Sequence, residues 1–145
     1  MEHPSNTIRL FKTPQLPVLA PETLKLIIKF VKFSGKKLGT ESEPVKIRLL
    51  HAAPKEPITT GAYTPQTKTI CVIVQNRHFI DYCRTVAHEM THQRQHTQGK
   101  DFSNIAEIGG EIEDEANSVS GQIVKEFIKK QLTPEEKKHL GLGSY

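Results

Sequence analysis

Apolar residues recur along this chain with two periods, and the changes of period outline its elements. Leu24, Ile27, Ile28 and Val31 repeat every three to four residues, the spacing of one helical face. Pro21-Glu22 suits the first turn of that helix, and Ser34-Gly35 is expected to end it. Val45-Lys46-Ile47-Arg48-Leu49-Leu50 alternates and then turns apolar, which predicts a strand. His51 to Pro57 reads as a loop, because its two prolines exclude a central strand. Gly61-Ala62-Tyr63 reads as one arm of a hairpin that turns over 64–68. Thr69 to Val74, rich in β-branched residues, reads as its stronger partner. Phe79, Cys83, Val86, Ala87 and Met90 return to the helical period and predict a helix over about 78–97, stopped by Gly99. A short helical piece is expected over 100–108. A second long helix follows over about 111–131, with Ile112, Ala116, Val119, Ile123 and Phe127 as its stripe. Residues 1–20, with Pro4, Pro14 and Pro17, read as an extended arm without regular structure. The expectation is therefore an arm over 1–20 and a single α+β domain over 21–145, with a small antiparallel or mixed sheet packed on helices.

The first long helix carries His88-Glu89-Met90-Thr91-His92. Residues four apart share a helical face, so His88 and His92 can aim both imidazoles at one ion. Glu89 stands beside such an ion, where a general base for a zinc-activated water would be needed. The five-residue pattern arises by chance in about 3% of chains of this composition, so its surroundings have to carry the reading. They do so because the helix is apolar around the motif, and inward-facing His and Glu need partners there.

Two histidines leave a catalytic zinc (Zn2+) short of one protein ligand. The acidic start of the second helix offers Glu111, Glu113 and Glu115. Two residues turn a helix by about 200°, so these three cannot reach the same point. Glu113 shares a face with Ala116, Asn117 and Ser120 and is the favoured ligand. Glu111, Glu115 and His96, the last one turn beyond His92, remain alternatives. Asn117 is placed to orient a ligating histidine. Tyr63, on the short strand expected to border the cleft, is the candidate to stabilise a developing oxyanion, with Tyr82, His96 and Arg94 as rivals.

Charge and composition change this picture little. The net charge is +4 over 145 residues. The excess lies in residues 1–50, largely on Lys25, Lys29, Lys32 and Lys36, which share one helical face. That face reads first as a solvated surface and second as a nucleic-acid-facing patch. No run of 18 apolar residues predicts a membrane span. No signal peptide is legible, and Cys71 and Cys83 read as buried thiols rather than a disulfide framework. A cytoplasmic, reducing location is the expectation.

Over residues 60–130 the chain resembles the small gluzincin metallopeptidases. Its Glu113-Asp114-Glu115-Ala116-Asn117 is similar to the Glu-x-x-Ala-Asn signature of the repressor-cleaving and radiation-response members. The resemblance implies a zincin-like fold and a hydrolase that cuts a protein or peptide substrate, with His88, His92 and Glu113 on zinc and Glu89 as base. Compact proteins of this type are also encoded by phages, so a viral or phage origin is compatible with it. Gly99-Lys100-Asp101-Phe102 gives a weaker likeness to SprT-like proteases, which act on DNA-associated proteins. Those take their third ligand from a histidine in a glycine-rich turn, for which only His96 is available here. A protein that keeps zinc as a structural staple without turnover is the alternative of a different class.

Overall fold

The computed structural model describes residues 19–50, 60–100 and 110–142 in full, and residues 8–12 by their backbone. The loop expected over 51–57 and, apart from Lys100, the helical piece expected over 100–108 lie outside the described residues. The element order is β1 (Ile8–Lys12), α1 (Pro21–Leu38), β2 (Val45–Leu50), β3 (Gly61–Thr64), β4 (Thr69–Ile73), α2 (Phe79–Thr97), α3 (Glu111–Lys130) and α4 (Pro134–His139). The fold is mixed α+β, with one four-stranded mixed sheet in the order β1-β2-β4-β3.

The first correction concerns the arm. Residues 8–12, expected to lack regular structure, form β1 and pair in parallel with β2, Ile8 opposite Val45 and Lys12 opposite Leu49. An otherwise open edge of β2 offers unpaired N–H and C=O groups, and pairing them overrides a weak local preference. β2 and β4 are also parallel, while β3 returns antiparallel to β4 and forms the edge. Lys68, at φ 52°, closes the β3–β4 turn. Val45, Ile47 and Leu49 of β2 and Ile70 and Val72 of β4 face the core, and Lys46 and Arg48 alternate outward.

The second correction is the length of α1. Ser34 and Gly35, expected to end it, are buried inside it, and it runs on to Leu38. Gly39 ends it instead at φ 71°, with its N–H returned to the carbonyls of Gly35 and Lys36. The buried stripe is also rotated from the one expected. Leu26, Ile27, Phe30, Val31 and Leu38 are buried, whereas Leu24 and Ile28 are only half-buried. Phe127 of α3 explains the rotation. Phe30 meets its ring edge-on at 5.0 Å and Phe33 lies at 5.6 Å, so α1 turns its aromatic side towards α3.

The stripe predicted for the motif helix is buried in full: Phe79, Cys83, Val86, Ala87 and Met90. The thiols of Cys71 and Cys83 are free, the first half-buried and the second buried. Helix α4 has no counterpart in the sequence reading, although Thr133 to Glu136 is a capping box with Pro134 in its first turn. It is tied back to α1 by Lys29, which donates to the Gln131 carbonyl at 2.6 Å and to Glu136 at 3.1 Å. Lys29 is thus engaged within the fold. Lys25, Lys32 and Lys36 remain exposed on that face. Among the described residues no helix is long and apolar enough to cross a membrane.

Candidate metal centre

Helix α2 lies beneath the edge strand β3 and against α3, and one cleft of about 670 Å³ opens where the three meet. His88, Glu89 and His92 enter it from α2, Glu113, Asn117 and Ser120 from α3, and Gly61 to Tyr63 from β3. The spacing argument accounts for the two outer contributions. Residues 88 and 92 are one turn apart on α2, and residues 113, 117 and 120 share one face of α3.

Three donor groups converge there. His92 Nε2 lies 2.8 Å from Glu113 Oε1, and His88 Nε2 lies 3.3 Å from Glu113 Oε2. The two Nε2 atoms are 3.1 Å apart. Each imidazole nitrogen meets a different oxygen of the Glu113 carboxylate, and one donor atom from each of the three residues lies within 4.8 Å of the others, so His88, His92 and Glu113 could hold a metal ion. Of the alternatives, Glu111 is exposed at the start of α3. Glu115 turns away to Gln95, Arg94 and Lys100. His96 stands beside the Tyr63 ring, with ring centroids 6.3 Å apart.

The surroundings disfavour the charged form of His88. Burial and the nearby His92 lower the pKa of His88, against the pull of Glu113. The Asn117 side chain hydrogen-bonds the His88 ring, the role expected of it. His92 is held by a residue that sequence reasoning missed. Gln95, fully buried, accepts from His92 Nδ1 at 2.7 Å. The only signal for it was its place three residues after His92, and spacing alone does not say what its amide will meet.

Glu89 is buried, with a carboxylate oxygen 3.9 Å from His88 Nε2. Burial, reinforced by Glu113, pushes its pKa up to about 7, although His92 and the backbone N–H of Tyr63 both pull downward. The contribution of Tyr63 to Glu89 is thus made by its main chain. The residue also lines the cleft, while the pKa of its hydroxyl is pushed up by burial and by the nearby Glu43. Tyr82, named as a rival, is buried in the core against Phe79, and Arg94 points to Glu115. Of the four oxyanion candidates only Tyr63 lines the cleft.

Gly61 allows β3 to lie this close. A Cβ there would fall 2.3 Å from Thr85 Cγ2 and 3.0 Å from the Cys71 carbonyl oxygen. Thr85 cannot swing aside freely, because its hydroxyl donates to the Asp81 carbonyl at 3.2 Å and accepts from Arg77 at 2.8 Å. Gly61→Ala is expected to destabilise the fold by about 1–3 kcal/mol, as overpacked sites do. It should also displace the Tyr63 amide from Glu89. Denaturant unfolding of the two proteins side by side checks the first effect; equal midpoints would show that β3 has room to shift. Comparison of the chain with protein-family models, with curated proteins and with solved structures finds no match.

Proposed function

We propose that this chain is a zinc-dependent metallopeptidase of the zincin type. The observation that carries the reading is the convergence of two imidazoles and one carboxylate from two helices, one donor atom of each within 4.8 Å of the others, in an open cleft with a buried carboxylate beside them. Two imidazoles and one carboxylate form a donor set suited to zinc. His88, His92 and Glu113 would hold the ion. When bound, zinc lowers the pKa of water and polarises a carbonyl. Glu89 takes a proton from the attacking water and delivers it to the leaving amine. Tyr63, on the strand that borders the cleft, is the residue assigned to the carbonyl oxygen as charge develops on it. Among the described residues β3 is the edge strand of the sheet beside the cleft, a place that suits an extended peptide held by main-chain hydrogen bonds.

The resemblance to repressor-cleaving gluzincins supports the same reading through Glu113. The SprT-like variant loses ground, since His96 stands outside the donor group. Incubation with a mixed-sequence peptide library and zinc is expected to yield cleavage that a chelator abolishes and added zinc restores. Stoichiometric zinc with no cleavage of any peptide would instead mark the site as a structural staple.

A further inference from the structure

We propose that Gln95 and Glu115 form a relay that fixes the proton of His92 on Nδ1 and so presents Nε2 to the metal. The extra hold on zinc rests on the metallopeptidase reading, whereas the proton position does not.

The argument begins with the Gln95 amide, which is buried between α2 and α3. Its nitrogen lies 3.0 Å from the Ile112 carbonyl oxygen and 2.7 Å from Glu115 Oε1. A backbone carbonyl and a carboxylate only accept, so both amide protons are committed to them. The reverse orientation would set the amide oxygen against two acceptors. The oxygen must therefore face His92, and an amide oxygen can only accept. The 2.7 Å contact at Nδ1 then requires a proton on that nitrogen. The other ring nitrogen, Nε2, is left facing Glu113 at 2.8 Å and His88 at 3.1 Å, where a metal would sit.

Glu115 is anchored in turn. Its carboxylate lies 3.8 Å from the Arg94 guanidinium and 3.6 Å from Lys100 Nζ. Negative charge is thus passed through a polarised amide to the imidazole, which makes a ligating histidine a stronger donor. The same amide grips Ile112, the residue before Glu113. One side chain therefore sets the ring of one donor and the helical turn of another. Glu115, weighed from sequence as a rival ligand, acts one step behind the ligands as a positioning residue.

The test has two readouts. Long-range 15N–1H correlation on histidine-labelled wild-type protein should place a proton on His92 Nδ1 both without metal and with zinc. An unprotonated Nδ1 in either state overturns the relay. Zinc affinity by chelator competition should fall about 10–100-fold in Gln95→Met, which keeps volume and removes both hydrogen-bonding ends. Glu115→Gln should keep the Nδ1 proton and lose less affinity, since the amide contact survives and only the charge is removed. Affinity within threefold of wild type in a folded Gln95→Met variant sinks the proposal. Should that variant not fold, the wild-type spectrum and Glu115→Gln decide. A wild-type protein that takes up no zinc would undo the metallopeptidase reading, with the relay still judged by its proton.

Discussion

Glu113→Ala is expected to cost the protein its metal. The two imidazoles would keep their 3.1 Å approach, but the carboxylate that meets both nitrogens would be gone. Two neutral ligands hold zinc far more weakly than two with a carboxylate, and the expected loss of affinity is at least 100-fold. Stability carries the same signal. A ligand present at about 100 times its Kd stabilises the folded state by about 2.7 kcal/mol. In a domain of this size that corresponds to a rise in Tm of about 5–10 °C. Wild-type protein should show this rise on addition of zinc, and Glu113→Ala should show almost none. Glu111→Ala, altering an exposed residue two positions earlier, should behave as wild type. Full zinc-induced stabilisation in Glu113→Ala would move the third ligand elsewhere.

Glu89→Gln separates metal binding from turnover. The amide keeps the shape of the carboxylate but takes up no proton, so cleavage should fall by about 10²–10⁴-fold while zinc remains bound. It should also stabilise the metal-free protein at neutral pH, which a purely catalytic effect would not. Burial raises the Glu89 pKa from an ordinary 4.5 to about 7. The folded protein therefore binds one more proton than the unfolded chain between those values. Below about pH 4.5 the buried acid is neutral in both states and no penalty arises. As pH climbs towards about 7 that advantage is lost, up to about 3 kcal/mol by the linkage relation. Metal-free wild type should thus lose stability across this window, and Glu89→Gln should lose less. Thermal melts of the two at pH 5 and pH 7.5 measure the difference. Equal slopes would mean that Glu89 ionises freely inside the fold. A bound dication reverses the local balance by favouring the carboxylate, so zinc should remove most of the dependence from wild type.

The metal-site reading was legible from the sequence because its information is local. Helical geometry alone puts His88 and His92 one turn apart, and it forbids Glu111, Glu113 and Glu115 from meeting at one point. The face shared by Glu113, Asn117 and Ser120 follows from the same arithmetic, and all three line the cleft. The elements with strong periods, β4, α2 and α3, were also readable, since burial of one face imposes the period.

What only the tertiary structure decided depends on partners distant in sequence. β1 exists because β2 offers it an edge, and five residues do not announce a partner more than thirty positions away. The rotation of α1 comes from Phe127, and the engagement of Lys29 from Glu136. Gly61 is required by the approach of Thr85, which belongs to another element. Tyr63 was read for its ring, yet its main-chain N–H meets Glu89 because β3 passes over α2. Gln95 had the right spacing from His92, but the direction of its amide is set by Ile112 and Glu115 on α3. A chain specifies the face that a side chain shares with its neighbours through the fixed pitch of its helix. Which donor or acceptor waits opposite is specified only by packing, because hydrogen bonds act over about 3 Å and distant segments reach that range only once the core has formed.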